Sequence, residues 1–179
     1  MNSIELYYDY FRHQAVSHVD LQHADVDGQR VFAIIDIDQA LGDFRTGQKP
    51  KDFMMRLINY TYVVSQRTHQ ATKELQGGFI IAKQFNPRAS RQEYLDAMIA
   101  SERVMDDHVQ KMILDSKEGH PLFDNYLDAN QDINLQPVVD TGDGTYCGWM
   151  CIFRWQQFFA NCSDPQPDRW LDGGTTPLL

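Results

Sequence analysis

Within the segment Thr145–Phe159, five residues at every second position, Cys147, Trp149, Cys151, Phe153 and Trp155, give one side an unbroken apolar run. Only an extended strand puts residues i and i+2 on the same face, so this segment predicts a strand with one buried face. Just before it, Asp140-Thr141-Gly142-Asp143-Gly144 contains an Asp-Gly pair in the setting of a hairpin turn. Ile133–Asp140 supplies the partner strand of that closing hairpin.

Three further segments read as strands. Val31–Ile37 is a β-branched run that follows the turn-like Asp25-Val26-Asp27-Gly28. Phe53–Gln66 alternates, with Met54, Arg56, Ile58, Tyr60, Tyr62 and Val64 on one face and Met55, Leu57, Asn59, Thr61 and Val63 on the other. Neither face is purely polar, so both predict some cover. Phe79–Gln84 resumes the pattern after the polar stretch Arg67–Gln76 and Gly77-Gly78, which predicts a long hairpin with a solvated tip. Gln39–Pro50 reads as a loop.

Two segments carry the helical period. Over 3–20, Ile4, Tyr7, Tyr8, Phe11, Ala15 and Val19 recur at three- and four-residue steps. Over 89–117, Tyr94, Met98, Met105, Val109 and Met112 form a stripe flanked by Leu95, Ile99 and Ile113. Ser90 and Glu93 have the spacing of a capping box, and Gly119 and Pro121 mark the end. These elements do not alternate as βαβ units would. The expected fold is α+β, an antiparallel or mixed sheet of about five strands, with an N-terminal helix and one long helix packed on one side. Residues 1–160 form a single domain in this reading, and 161–179 an extended C-terminal arm anchored by Trp170.

The 179 residues carry a net charge of −9, which repels phosphate backbones and anionic membranes at long range. The basic residues are scattered, with Lys49, Lys51 and Arg56 the densest group, so no nucleic-acid partner is expected. There is no long apolar run for a membrane span and no signal-peptide pattern at the N-terminus. An odd cysteine count, Cys147, Cys151 and Cys162, suggests free thiols in a reducing compartment. On one strand Cys147 and Cys151 would lie ~13 Å apart, at ~3.3 Å per residue. That exceeds the ~7 Å limit for a disulfide.

The local look-alikes of catalytic motifs fail on chemistry. Val138-Val139-Asp140-Thr141-Gly142 resembles an aspartic-protease motif, but that mechanism needs two carboxylates sharing a proton, and one copy is present. The run from Asp25 lacks the third oxygen ligand and the closing Glu of a calcium loop. His13 and His18, five apart, are rotated by ~140° on a helix and share no face; surface histidines are the expectation for these and for His23. Cys147-x-x-x-Cys151 has neither redox nor zinc spacing. Asp106 and Asp107 diverge by ~100° on their helix. A cysteine nucleophile with His108 or His120 as base is the weakest surviving alternative, since free cysteines most often act as small buried hydrophobes. Phosphate-binding glycine loops are absent from the sequence, and no metal or cofactor is expected.

The order of elements resembles small phage or prophage-type tail proteins of the tail-terminator or tail-completion kind. The resemblance covers roughly residues 3–160. It rests on the N-terminal amphipathic helix, a strand, the long two-strand excursion ending in Gly77-Gly78-Phe79-Ile80-Ile81-Ala82-Lys83, the helix Ser90–Lys117, and the closing hairpin with Gly148-Trp149-Met150-Cys151-Ile152-Phe153. It implies a non-enzymatic, self-associating subunit, a homo-oligomer with a ring as one form. Its partners would be other tail or neck proteins, and it would reside in the host cytoplasm or the virion. Tyr60, Tyr62, Phe79, Trp149, Trp155 and Trp170 are the candidate interface residues. The alternatives are a small-molecule or peptide-binding module with a groove beside the 145–155 strand, and a hydrolase using Asp140 or a cysteine.

Overall fold

The computed structural model describes residues 3–24, 31–35, 52–67, 70–86, 88, 90–123, 127, 133–139 and 146–158. In chain order these form α1 (Ser3–Ser17), β1 (Phe32–Ile35), β2 (Phe53–Arg67), β3 (Gln70–Gln84), α2 (Arg91–Lys117), β4 (Ile133–Val139) and β5 (Tyr146–Phe158). The strands make one five-stranded sheet in the order β1-β2-β3-β5-β4. β1 runs parallel to β2, and every other pairing is antiparallel. The fold is α+β with a mixed sheet. The arm 161–179 and the turn at Asp140–Thr145 lie outside the described residues.

Both helices lie on one face of the sheet. The alternation of β5 is realised there: Cys147, Cys151, Phe153 and Trp155 are all buried. Cys151, Phe153 and Trp155 share a core with Met55 and Leu57 of β2, Phe79 and Ile81 of β3, Tyr7, Phe11 and Ala15 of α1, and Val104, Met105 and Met112 of α2. Ser101 ties α2 to the sheet, donating its hydroxyl to Ala97 O at 2.8 Å and lying 3.2 Å from Cys147 O. The opposite face holds a smaller buried cluster of Met54, Ile58, Ile80, Ala82 and Tyr146.

The structure rotates both helical stripes from the expected ones. On α1 the buried line is Tyr7, Tyr10, Phe11, Gln14 and Ala15, while Ile4 is exposed; the helix ends at Ser17, so Val19 of the expected stripe lies beyond it, exposed. On α2 the buried line includes Ala97, Ser101, His108 and Asp115, while Leu95 and Ile99 are exposed. Apolar period located the helices, but buried polar groups share the inward face. The capping box is also incomplete. Ser90 has extended N-cap backbone angles (φ −67°, ψ 155°) but makes no side-chain cap bond. The Glu93 carboxylate instead accepts the Asn86 N–H at 3.0 Å. The C-terminus ends as expected, with Gly119 at φ 79° taking a left-handed conformation that suits a residue without Cβ.

Two corrections concern the long hairpin. Gly77 and Gly78 do not precede a strand; they lie in the middle of β3. A Cβ on Gly77 would stand 2.6 Å from the Tyr7 hydroxyl oxygen. That hydroxyl lies 2.8 Å from Ile58 O and 3.1 Å from Gly78 O, and it accepts the Gly78 N–H at 3.1 Å. The glycine therefore makes room for a buried tyrosine hydroxyl that enters the ladder. Opposite it, the β2–β3 register shifts between Ile58 and Thr61. An inserted residue reverses the parity of everything beyond it. Tyr60 consequently leaves the face of Met54 and Ile58 and packs on the helix side against Tyr7 and Trp155, at ring distances of 5.2 and 5.9 Å.

Candidate assembly surface

Beyond the bulge the sheet changes character. β1 pairs only with Met55–Ile58, so the outer edge of β2 from Thr61 to Arg67 has no neighbouring strand among the described residues. On this segment Tyr62, Val63 and Val64 are 55, 68 and 50% exposed. Alternation puts Tyr62 and Val64 on the helix-side face and Val63 on the other, so apolar groups meet solvent on both faces of one open-edged strand. Lys73 of β3 places its ammonium 4.1 Å from the Tyr62 ring centroid and 5.8 Å from that of Tyr60, a cation–π contact that braces both rings.

The other sheet edge, β4, exposes Leu135 and Val139 to 38 and 45%. It also contains Pro137, which offers no backbone donor and blunts an edge against pairing.

The sequence-derived interface residues divide. Tyr62 is exposed and Tyr60 half-buried beside it. Trp149 is half-buried, its indole N–H donated to Met98 O at 3.3 Å. Phe79 and Trp155 are interior, 0 and 1% exposed, and have no surface to offer a partner. The sequence pattern marked them as needing cover, and the chain's own helices supply it. Trp170 lies outside the described residues. Val63 and Val64 were missed as interface candidates, although their place in an uncharged β-branched run was visible.

The groups capable of chemistry lie elsewhere, between α1 and the C-terminal half of α2. A cavity of about 400 Å³ there is lined by Asp9, Tyr10, His13, Lys111, Asp115 and His120, among others. Asp115 is buried, accepts the Tyr10 hydroxyl at 2.8 Å, and pairs with Lys111. Burial, and then the Asp115 carboxylate, push the Tyr10 hydroxyl well above its usual range, so it stays a donor. His120 lies on the Tyr10 ring at 4.8 Å and is held below the ordinary imidazole range, chiefly by burial. Asp115 thus spends its lone pairs joining two helices, which makes the cluster a clamp and a poor acid–base pair. Gln14 beside it is buried; its amide lies near enough to favour the charged form of Tyr10, yet neither its oxygen nor its nitrogen makes a hydrogen bond.

Of the three histidines expected at the surface, His13 is exposed and His18 half-buried, but His23 departs. His23 is buried and accepts the Phe32 N–H through Nδ1 at 3.3 Å. His18 lies 3.3 Å from Asp107 and 4.9 Å, ring to ring, from His108. His108 is 2% exposed, with Nδ1 2.8 Å from Val104 O and Nε2 unpartnered. Cys147 and Cys151 are free and buried, and burial pushes their thiols up to about 11 and about 12. Neither is suited to act as a thiolate nucleophile. Asp140 and Cys162 lie outside the described residues. Among the described residues, no group of three or more His, Cys, Asp and Glu could hold a metal ion, and no helix is long and apolar enough to cross a membrane.

A smaller hollow of about 170 Å³ opens at the bulge, bounded by Ile58, Asn59, Thr61, Gln76, Met150 and Ile152. It borders β5, where a ligand groove was one expectation, but falls below the ~300 Å³ at which ligand pockets usually begin. No protein-family model matches the chain, and no curated protein matches it.

Proposed function

We propose that this chain is a non-enzymatic structural subunit that associates with itself in the tail or neck of a phage-like particle, alongside other tail or neck proteins. One observation carries the self-association: Tyr62, Val63 and Val64 stand exposed where β2 runs past the end of β1, with an outer edge that has no partner strand among the described residues. Exposed apolar strands with open edges are costly in a free monomer and useful in an assembly. The placement in a phage-like particle is supported by the element order, helix, strand, long hairpin, long helix and closing hairpin. The chemistry-bearing side chains also favour a structural role, since Asp115, Tyr10 and both buried thiols are committed to packing.

Light scattering on the purified chain across a wide concentration range tests this reading. An oligomer is expected, and a monomer at every concentration overturns it. Neighbouring genes for capsid or tail-tube proteins would support the particle; their absence would count against it. A second reading, a small-molecule-binding module, is favoured by the cavity between α1 and α2, whose about 400 Å³ falls within the usual ligand range. Saturable binding of a small polar compound that Asp115→Asn abolishes would support that reading instead.

A further inference from the structure

We propose that two copies of this chain join edge to edge along Thr61–Arg67 of β2, antiparallel, with Val63 opposite its own counterpart across a two-fold axis. The proposal deepens the self-association reading and rests on it.

The backbone provides the first reason. In a strand paired on one side, every second residue turns its N–H and C=O outward, and a second strand can take them up. β2 offers this edge only beyond the bulge, because β1 occupies the stretch Met55–Ile58. Of the two strands that end the sheet, β1 is only four residues long and β4 is interrupted by Pro137. The β2 edge has no such interruption between Thr61 and Arg67.

Charge provides the second reason. The chain carries −9, so two copies repel over most of their surfaces. From Leu57 to Gln66 there is no charged residue, which makes this edge one of the few places where like can meet like. Lys73 is drawn over the Tyr62 ring within its own copy, so its charge lies over the sheet face and off the edge.

Side-chain pairing sets the register. With the axis at Val63, Tyr62 of each copy stands opposite Val64 of the other, an aromatic against a β-branched residue, twice. Asn59 stands opposite Arg67, so no like charges meet. Moving the axis to Tyr62 would set Thr61 against Val63, and moving it to Val64 would set Tyr62 against Gln66. Only the Val63 axis matches apolar with apolar throughout the centre. Such a two-fold contact closes on itself and yields a dimer. A ring would be assembled from these dimers through a second, different contact.

The test is a cysteine scan in a Cys162→Ser background, in which the remaining native thiols are buried. Val63→Cys is expected to give a covalent dimer rapidly on mild oxidation. Thr61→Cys is expected not to, because its counterpart would be ~14 Å away along the strands, beyond the ~7 Å reach of a disulfide. Val63→Lys, at a position 68% exposed, should leave the circular dichroism and melting of the fold intact while raising the dimer dissociation constant at least ~100-fold. If the wild-type chain oligomerises but Val63→Lys does not weaken it and Val63→Cys does not cross-link, the edge pairing is wrong and self-association stands. Equal cross-linking at both positions overturns the register. A wild-type chain that is monomeric throughout overturns both readings together.

Discussion

His108 makes stability depend on pH in a window that can be named in advance. The ring is 2% exposed, packed beside Phe79 and the His18 ring. Its Nδ1 faces the Val104 carbonyl at 2.8 Å, and its Nε2 has no partner to receive a second proton's charge. Burial above all, against the opposing effect of the Val104 bond, lowers its pKa from 6.5 to about 4. The folded value lies below the unfolded one, so the unfolded chain binds the proton first. The stabilisation is present in full above the unfolded pKa. It is lost as pH falls from about 6.5 to about 4, and below that this group costs nothing more. At about 1.4 kcal/mol per unit, the loss is on the order of 3 kcal/mol, a large part of a domain's net stability. Carboxylates titrate in the same window, so the informative quantity is a difference. Urea unfolding followed by tryptophan fluorescence, at one protein concentration and a series of pH values, gives the slope for wild type and for His108→Gln. The variant should be less stable near neutrality, and its curve should be flatter through the window by up to about one proton. Parallel slopes would refute the reasoning.

Three further outcomes follow from the packing. Gly77→Ala should cost about 1–3 kcal/mol in a chemical melt, and less when combined with Tyr7→Phe, because the added methyl meets the Tyr7 hydroxyl first. Equal costs in both backgrounds would show that the contact is not the cause. Tyr10→Phe should lower stability by about 1.5–3 kcal/mol at neutral pH, since it strips the buried Asp115 carboxylate of a donor; no change in the melt would contradict the clamp. Cys147 and Cys151 should react with a thiol reagent only as fast as the protein opens, and rapid labelling of the native fold would contradict their burial.

Periodicity in the sequence located most of the elements and one face of the sheet, although the first half of β3, from Gln70 to Gln76, read as a polar tip. The two-residue repeat of Cys147 to Trp155 specified β5 and its buried side, because alternation is a property of one strand and needs no partner. The same holds for the extent of α2, where period and the terminal Gly119 agree with the observed end. Three matters depended on neighbours. The faces of β2 beyond Ile58 followed from a register shift against β3, and one inserted residue turned Tyr60 from the expected side to the other. Gly77-Gly78 looked like punctuation but sits mid-strand, where the space it leaves is filled by Tyr7, separated from it by most of the first half of the chain. Phe79 and Trp155 looked available to a partner until α1 and α2 covered them, while Val63 and Val64, equally apolar, remained outside. A local pattern states that a side chain needs cover. Whether the cover comes from the chain's own helices or from another molecule is decided by how far each packed element reaches, and here β2 outruns β1.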